Sequence, residues 1–175
     1  MRKRMRNAVT NGGAQYYLIL WGVIWFLGFL GSHFLPDSTA GHVWMVLDII
    51  GALGSWGLGV FMSRRVRNAS VSATSGRIGL FWLALFAYCM LAVWIAWPLD
   101  SRQLAMFLII FAMFGWIAMG FLLSYSLVTL ALFITALAFG SYYLLPHLFY
   151  LCMALLGGGT MIGSGLYIRF RWRKV

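Results

Sequence analysis

HVWMVLDIIGALGSWGLGVFM, residues 42–62, decides the class of this chain. A helix of that length rises about 30 Å, the thickness of bilayer hydrocarbon. The stretch carries a single charge, Asp48, and three small residues at four-residue spacing, Gly51, Ser55 and Gly59. An apolar run of bilayer length, an acid inside it and a small-residue stripe are what the other segments are read against.

Working outward, five more apolar runs appear, at 16–35, 78–97, 103–123, 126–145 and 147–168. With 42–62 they occupy roughly 125 residues, counted as spans of ~20 residues or slightly more. Composition agrees: 63% of residues are hydrophobic and 9% charged, against about a quarter charged in soluble domains. Neither a soluble catalytic domain nor a nucleotide-binding unit of ~30 residues fits in the remainder. The expected fold is all-α: a polytopic membrane protein of six transmembrane helices in three hairpins. A basic tail (1–15) precedes the six-helix bundle (16–168), and a second basic tail (169–175) follows it.

The net charge of +10 does not point to nucleic acid, because of where the charge lies. Twelve of the thirteen Lys and Arg residues fall in three clusters, Arg2–Arg6, Arg64–Arg77 and Arg169–Lys174. Six spans put all three clusters on one side, which the positive-inside rule makes the cytoplasmic one. Both termini are then cytoplasmic, in a cell inner (plasma) membrane. Arg64, Arg65, Arg67, Arg169, Arg171, Arg173 and Lys174 are placed to meet anionic lipid headgroups. The first apolar run is longer than a secretory h-region and lacks a following A-x-A site, so it is read as a span.

Loops are expected at 37–41 and 63–77, and a turn at Ser124-Tyr125-Ser126. Pro36, Pro98 and Pro146 each stand where an odd-numbered span reaches the outer side. Proline lacks a backbone donor and clashes with the preceding turn, so it marks those helix ends. Cys89 and Cys152 sit inside spans and read as small packing residues, not as a disulfide framework.

Three groups of residues could carry chemistry. Asp48 lies about 9 Å inside the outer end of a span starting at His42, at 1.5 Å per residue. An ionised carboxylate at mid-membrane costs roughly 2.5–3.5 kcal/mol on insertion scales. It must stay protonated or find partners, and depth counting offers Ser141, Tyr142 and Tyr150. The reading is a proton or cation site, set against an interhelical bond that only holds the bundle. His33, His42 and His147 reach the outer rim near Asp37 and Asp100, a set able to hold Zn²⁺ or Cu²⁺ or to respond to pH. Their separations match no metal signature, and no cofactor is expected.

Gly51, Ser55 and Gly59 on span 2, with Gly159 and Gly163 on span 6, form small-xxx-small stripes. Both spans run from outside to inside, so the stripes are expected to pair with each other or to serve a homodimer. GGGTMIGSG, 157–165, lies within an apolar span and lacks the G-x-G-x-x-G spacing of a phosphate loop.

No hydrolase, protease or paired-carboxylate motif is present. The first functional reading is therefore a non-enzymatic accessory, sensor or assembly component that binds a protein partner or lipid. The second is a small proton- or cation-coupled transporter using Asp48. The third is a metal or redox protein using the rim histidines.

Overall fold

The computed structural model describes residues 13–65, 69–123 and 125–171. Among them, six helices are long and apolar enough to cross a membrane, and the chain is an all-α polytopic membrane protein. The helices are α1 (Ala14–Phe34), α2 (Asp37–Arg65), α3 (Ala69–Ala96), α4 (Ser101–Leu123) and α5 (Tyr125–Leu144). The sixth, α6, is an α-helical turn (Phe149–Cys152), a π-helical stretch (Met153–Gly158) and a final α-helix (Gly159–Arg171).

Two expected loops are largely helix. α2 begins at Asp37, directly after Pro36, because an acidic first turn complements the positive end of the helix dipole. The Ala40 N–H bonds the Pro36 carbonyl at 2.9 Å, and Ala40 is buried. Most of 63–77 is helical too, since α2 runs to Arg65 and α3 starts at Ala69. That segment contains no proline to interrupt it, and its Ala and Arg are good helix formers. At the next turn α5 starts at Tyr125, so the SYS break is shorter than expected.

The helices form two compact units, Met1–Leu58 with Ala136–Val175, and Gly59–Thr135. In the first unit, α1 lies antiparallel to α6 and packs against it backbone to backbone. A Cβ on Gly22 would stand 2.9 Å from the Ile162 backbone nitrogen. One on Gly158 would stand 2.8 Å from the nitrogen of Phe26, and one on Gly165 2.8 Å from the carbonyl oxygen of Gln15. Around these contacts Leu18, Phe29, Phe149, Met153 and Met161 are buried.

The π stretch ends at Gly158, one of the glycines that meet the α1 backbone. Gly159 N–H reaches back five residues to the Ala154 carbonyl. Thr160 Oγ1 donates to the Leu156 carbonyl (2.6 Å) and the Gly157 carbonyl (3.0 Å) of the preceding turn.

In the second unit α3 packs on α4. Trp82 lies over Gly115, whose added Cβ would meet the Trp82 ring at 2.7 Å, and Trp82 meets Trp116 edge-on at 5.8 Å. Asp100 caps α4: its Oδ1 accepts from the N–H groups of Arg102 and Gln103, both at 2.8 Å. Gln103 Oε1 accepts in return from Asp100 N–H at 3.2 Å. This is a capping box, in which each side chain satisfies an orphan donor of the first turn.

Candidate functional site: the exposed carboxyl of the second span

Because α2 begins at Asp37, Asp48 sits about 16 Å along the helix from its first residue, at 1.5 Å per residue. That is deeper than a start at His42 implies, and close to the middle of the 26-residue apolar window Asp37–Met62. The Asp48 side chain is exposed, and among the described residues it makes no hydrogen bond or ion pair. Its neighbours Met45, Val46, Ile49 and Ile50 are exposed as well. The carboxyl therefore stands near the middle of the span on an otherwise apolar, exposed face of α2.

The partners expected for it are occupied elsewhere. Ser141 is buried, and its hydroxyl donates to carbonyls of its own helix, Leu137 (2.8 Å) and Ala138 (3.2 Å). Serine in an apolar helix satisfies itself this way when no better acceptor is in reach. Tyr142 packs edge-on against Phe149 at 5.8 Å. Tyr150 stacks on Phe29 at 6.4 Å. Matching depth was not enough, because depth does not specify which face of a helix a residue occupies.

The small-residue stripes do not pair with each other. Gly51 faces Trp21 and Ile24 of α1, while Gly159 and Gly163 have nothing within 4 Å of an added Cβ. Span 2 and span 6 do run in the same direction, but each packs on α1. The close approach of α6 uses Gly158 and Gly165, seven residues apart on one face, and turns Gly159 and Gly163 away from it.

The α1–α2 contact holds a pattern that the sequence reading missed. Trp21, Gly28 and Ser32 of α1 share the spacing W-x6-G-x3-S with Trp44, Gly51 and Ser55 of α2. Trp21 Nε1 donates to Ser55 Oγ at 3.1 Å, and Trp44 Nε1 donates to Ser32 Oγ at 2.8 Å. Each indole lies over the glycine of the opposite helix. A Cβ on Gly28 would meet the Trp44 ring at 2.6 Å, and one on Gly51 the Trp21 ring at 3.0 Å. Tyr17 adds a bond from its hydroxyl to the Ser55 carbonyl at 3.3 Å. Antiparallel helices with the same spacing make a clasp with local two-fold symmetry. Comparing the two spans for equal Trp-Gly-Ser intervals was the signal available in the sequence.

The rim residues do not gather. Among the described residues no three His, Cys, Asp or Glu side chains are placed to hold a metal ion. His42 Nδ1 donates to the Ser38 carbonyl of its own helix at 2.7 Å, and His33 packs edge-on against Phe34. His147 is exposed, and Asp100 is the cap of α4.

Of the residues assigned to lipid headgroups, Arg169 is exposed, with its guanidinium 6.0 Å from the Phe170 ring centre. Arg67, Arg173 and Lys174, together with the side chains of Arg64, Arg65 and Arg171, lie outside the described residues. Gly59 lies within α2 and is partly exposed. Compared with protein-family models, with curated proteins and with solved structures, the chain matches none.

Proposed function

We propose that this chain is a non-enzymatic assembly or accessory component of a cytoplasmic membrane, and that it docks another membrane protein along α2. It sits with both termini inside, its basic tails against anionic headgroups. The positions of the arginine clusters support that orientation.

One observation carries the docking assignment: the exposed face of α2 around Asp48 is the two-fold equivalent of the face on which α1 receives α6. Superposing the W-x6-G-x3-S repeats matches Gly22 with Met45, Trp25 with Asp48, Phe26 with Ile49 and Phe29 with Ala52. On α1, Gly22 and Phe26 touch α6, and Trp25 and Phe29 are buried. On α2, all four counterparts are exposed. The share of the span buried is 33% for α1 and 6% for α2, a value α3 shares. A face at the position of a helix seat, with a carboxyl in it, is the kind of polar intramembrane site that marks function by default.

Site-specific photo-crosslinking in cells tests this. A crosslinker at Met45 or Ile49 is expected to give a discrete protein adduct, and one at buried Ile24 none. Lipid adducts alone at 45 and 49 would remove the assignment.

A further inference from the structure

The seat on α2 says that something docks there; the chemistry around it says what. We infer that the occupant is a transmembrane helix of a different protein carrying a lysine or arginine at mid-membrane depth, opposite Asp48. This rests on the docking role just proposed and goes beyond it by naming the partner's chemistry.

The argument is charge complementarity at a fixed depth. A carboxyl near the middle of a span is too short to reach either headgroup region, unlike a long lysine or arginine side chain. It needs a partner at its own level. The chain cannot supply a cation there: residues 13–62, 78–101 and 103–168 contain no Lys or Arg. A second copy would bring only the same apolar spans and another Asp48, meeting acid with acid. A basic side chain on a foreign helix carries a matching insertion penalty when alone, and the pair relieves both. The surface also admits a close neighbour. Ala52, one turn beyond Asp48, is exposed and small, which lets an incoming backbone approach.

The test reconstitutes the purified full chain in phosphatidylcholine vesicles. The probes are two synthetic 22-residue Leu/Ala transmembrane peptides with uncharged flanks, one with Lys at its central position and one with Leu there. Association is read by fluorescence energy transfer from a donor on α2. The Lys peptide is expected to bind roughly three- to thirtyfold more tightly than the Leu peptide, the range of one interhelical polar bond. Asp48→Asn and Asp48→Leu should both abolish that preference, with helicity checked by circular dichroism.

Equal binding of the two peptides overturns the inference, as does a preference that survives both substitutions. Energy transfer between differently labelled copies of the chain that disappears in Asp48→Asn also overturns it, in favour of self-association. Protein adducts at Met45 and Ile49 combined with no Lys preference would leave the docking role standing and refute only the cationic partner. A Lys preference without any cellular adduct would uphold the pairing of Asp48 with a cation and refute the docking role in cells.

Discussion

α1 and α2 carry the same Trp-Gly-Ser spacing, clasp each other through it, and yet end in different surroundings. α1 is held on two sides, by α2 through indoles and by α6 through glycines. α2 is held on the α1 side and exposed on the other. Four residues past the tryptophan, α1 has Trp25, buried and edge-on to Phe29 at 5.5 Å, while α2 has Asp48, exposed. Under the docking role proposed above, the difference separates the contacts that stabilise a lipid-embedded chain from a face kept for recognition. Apolar burial does not draw helices together in lipid, so contact must come from close packing or polar bonds. α1 uses both devices inside the chain. α2 uses one inside the chain and presents the other outward.

The largest expected effect strikes the glycine side of α1. A Cβ at Gly158 meets the backbone nitrogen of Phe26 at 2.8 Å and the Gly22 carbonyl oxygen at 2.9 Å, and backbone cannot swing aside as a side-chain tip can. Gly158→Val should therefore destabilise by about 3 kcal/mol or more, the upper end for overpacking. Reversible unfolding in mixed detergent micelles would show it. A loss below that of the clasp substitutions would mean that the glycine side of α1 is no tighter than its indole side.

The clasp comes next. Trp21→Phe and Trp44→Phe keep a ring over Gly51 and Gly28 but remove the donor to Ser55 and Ser32. Each should lose about 0.6–2 kcal/mol, the range of an interhelical bond in lipid. The local two-fold symmetry sharpens this, since the two losses should be alike in the same unfolding assay. A loss confined to one tryptophan would show that the matching intervals are not matched in energy. Ser55→Ala breaks the same Trp21 bond and should cost about as much as Trp21→Phe, since the Tyr17 hydroxyl still reaches the Ser55 carbonyl in both variants.

Much of this architecture is legible in the residues themselves. Six apolar runs of bilayer length, separated by proline, by a basic cluster or by Ser124-Tyr125-Ser126, translate directly into six helices, because backbone groups in lipid must bond within their own segment. The depth of Asp48 is legible to within a few residues. Its direction is not. Apolar residues surround every span, so no amphipathic pattern tells a helix-facing side from a lipid-facing one. That is why Ser141, Tyr142 and Tyr150 look like partners by depth and are not. The same blindness paired Gly51 with Gly159. Small residues permit approach without saying whose backbone approaches, and at Gly51 the neighbour is an indole. The π stretch at Met153–Gly158 is invisible as well, since nothing in MALLGG sets it apart from an α-helical run. What the sequence did hold, and periodicity alone could not bring out, is the repeated interval from Trp21 to Ser32 and from Trp44 to Ser55.

The smallest effect tests the glycine account from its quiet side. Gly159 and Gly163 spell the familiar G-x-x-x-G, yet nothing lies within 4 Å of a Cβ added at either. If proximity and not the motif governs, Gly163→Ala has no contact to lose. It gains the conformational restriction that favours alanine over glycine in a helix, about 0.5–1 kcal/mol in soluble hosts. A slight stabilisation, or no change, is therefore expected in the assay that registers Gly158→Val as severe. A clear loss at Gly163 would show that this face of α6 is in contact after all, and that exposure in the structure does not by itself mark a free face.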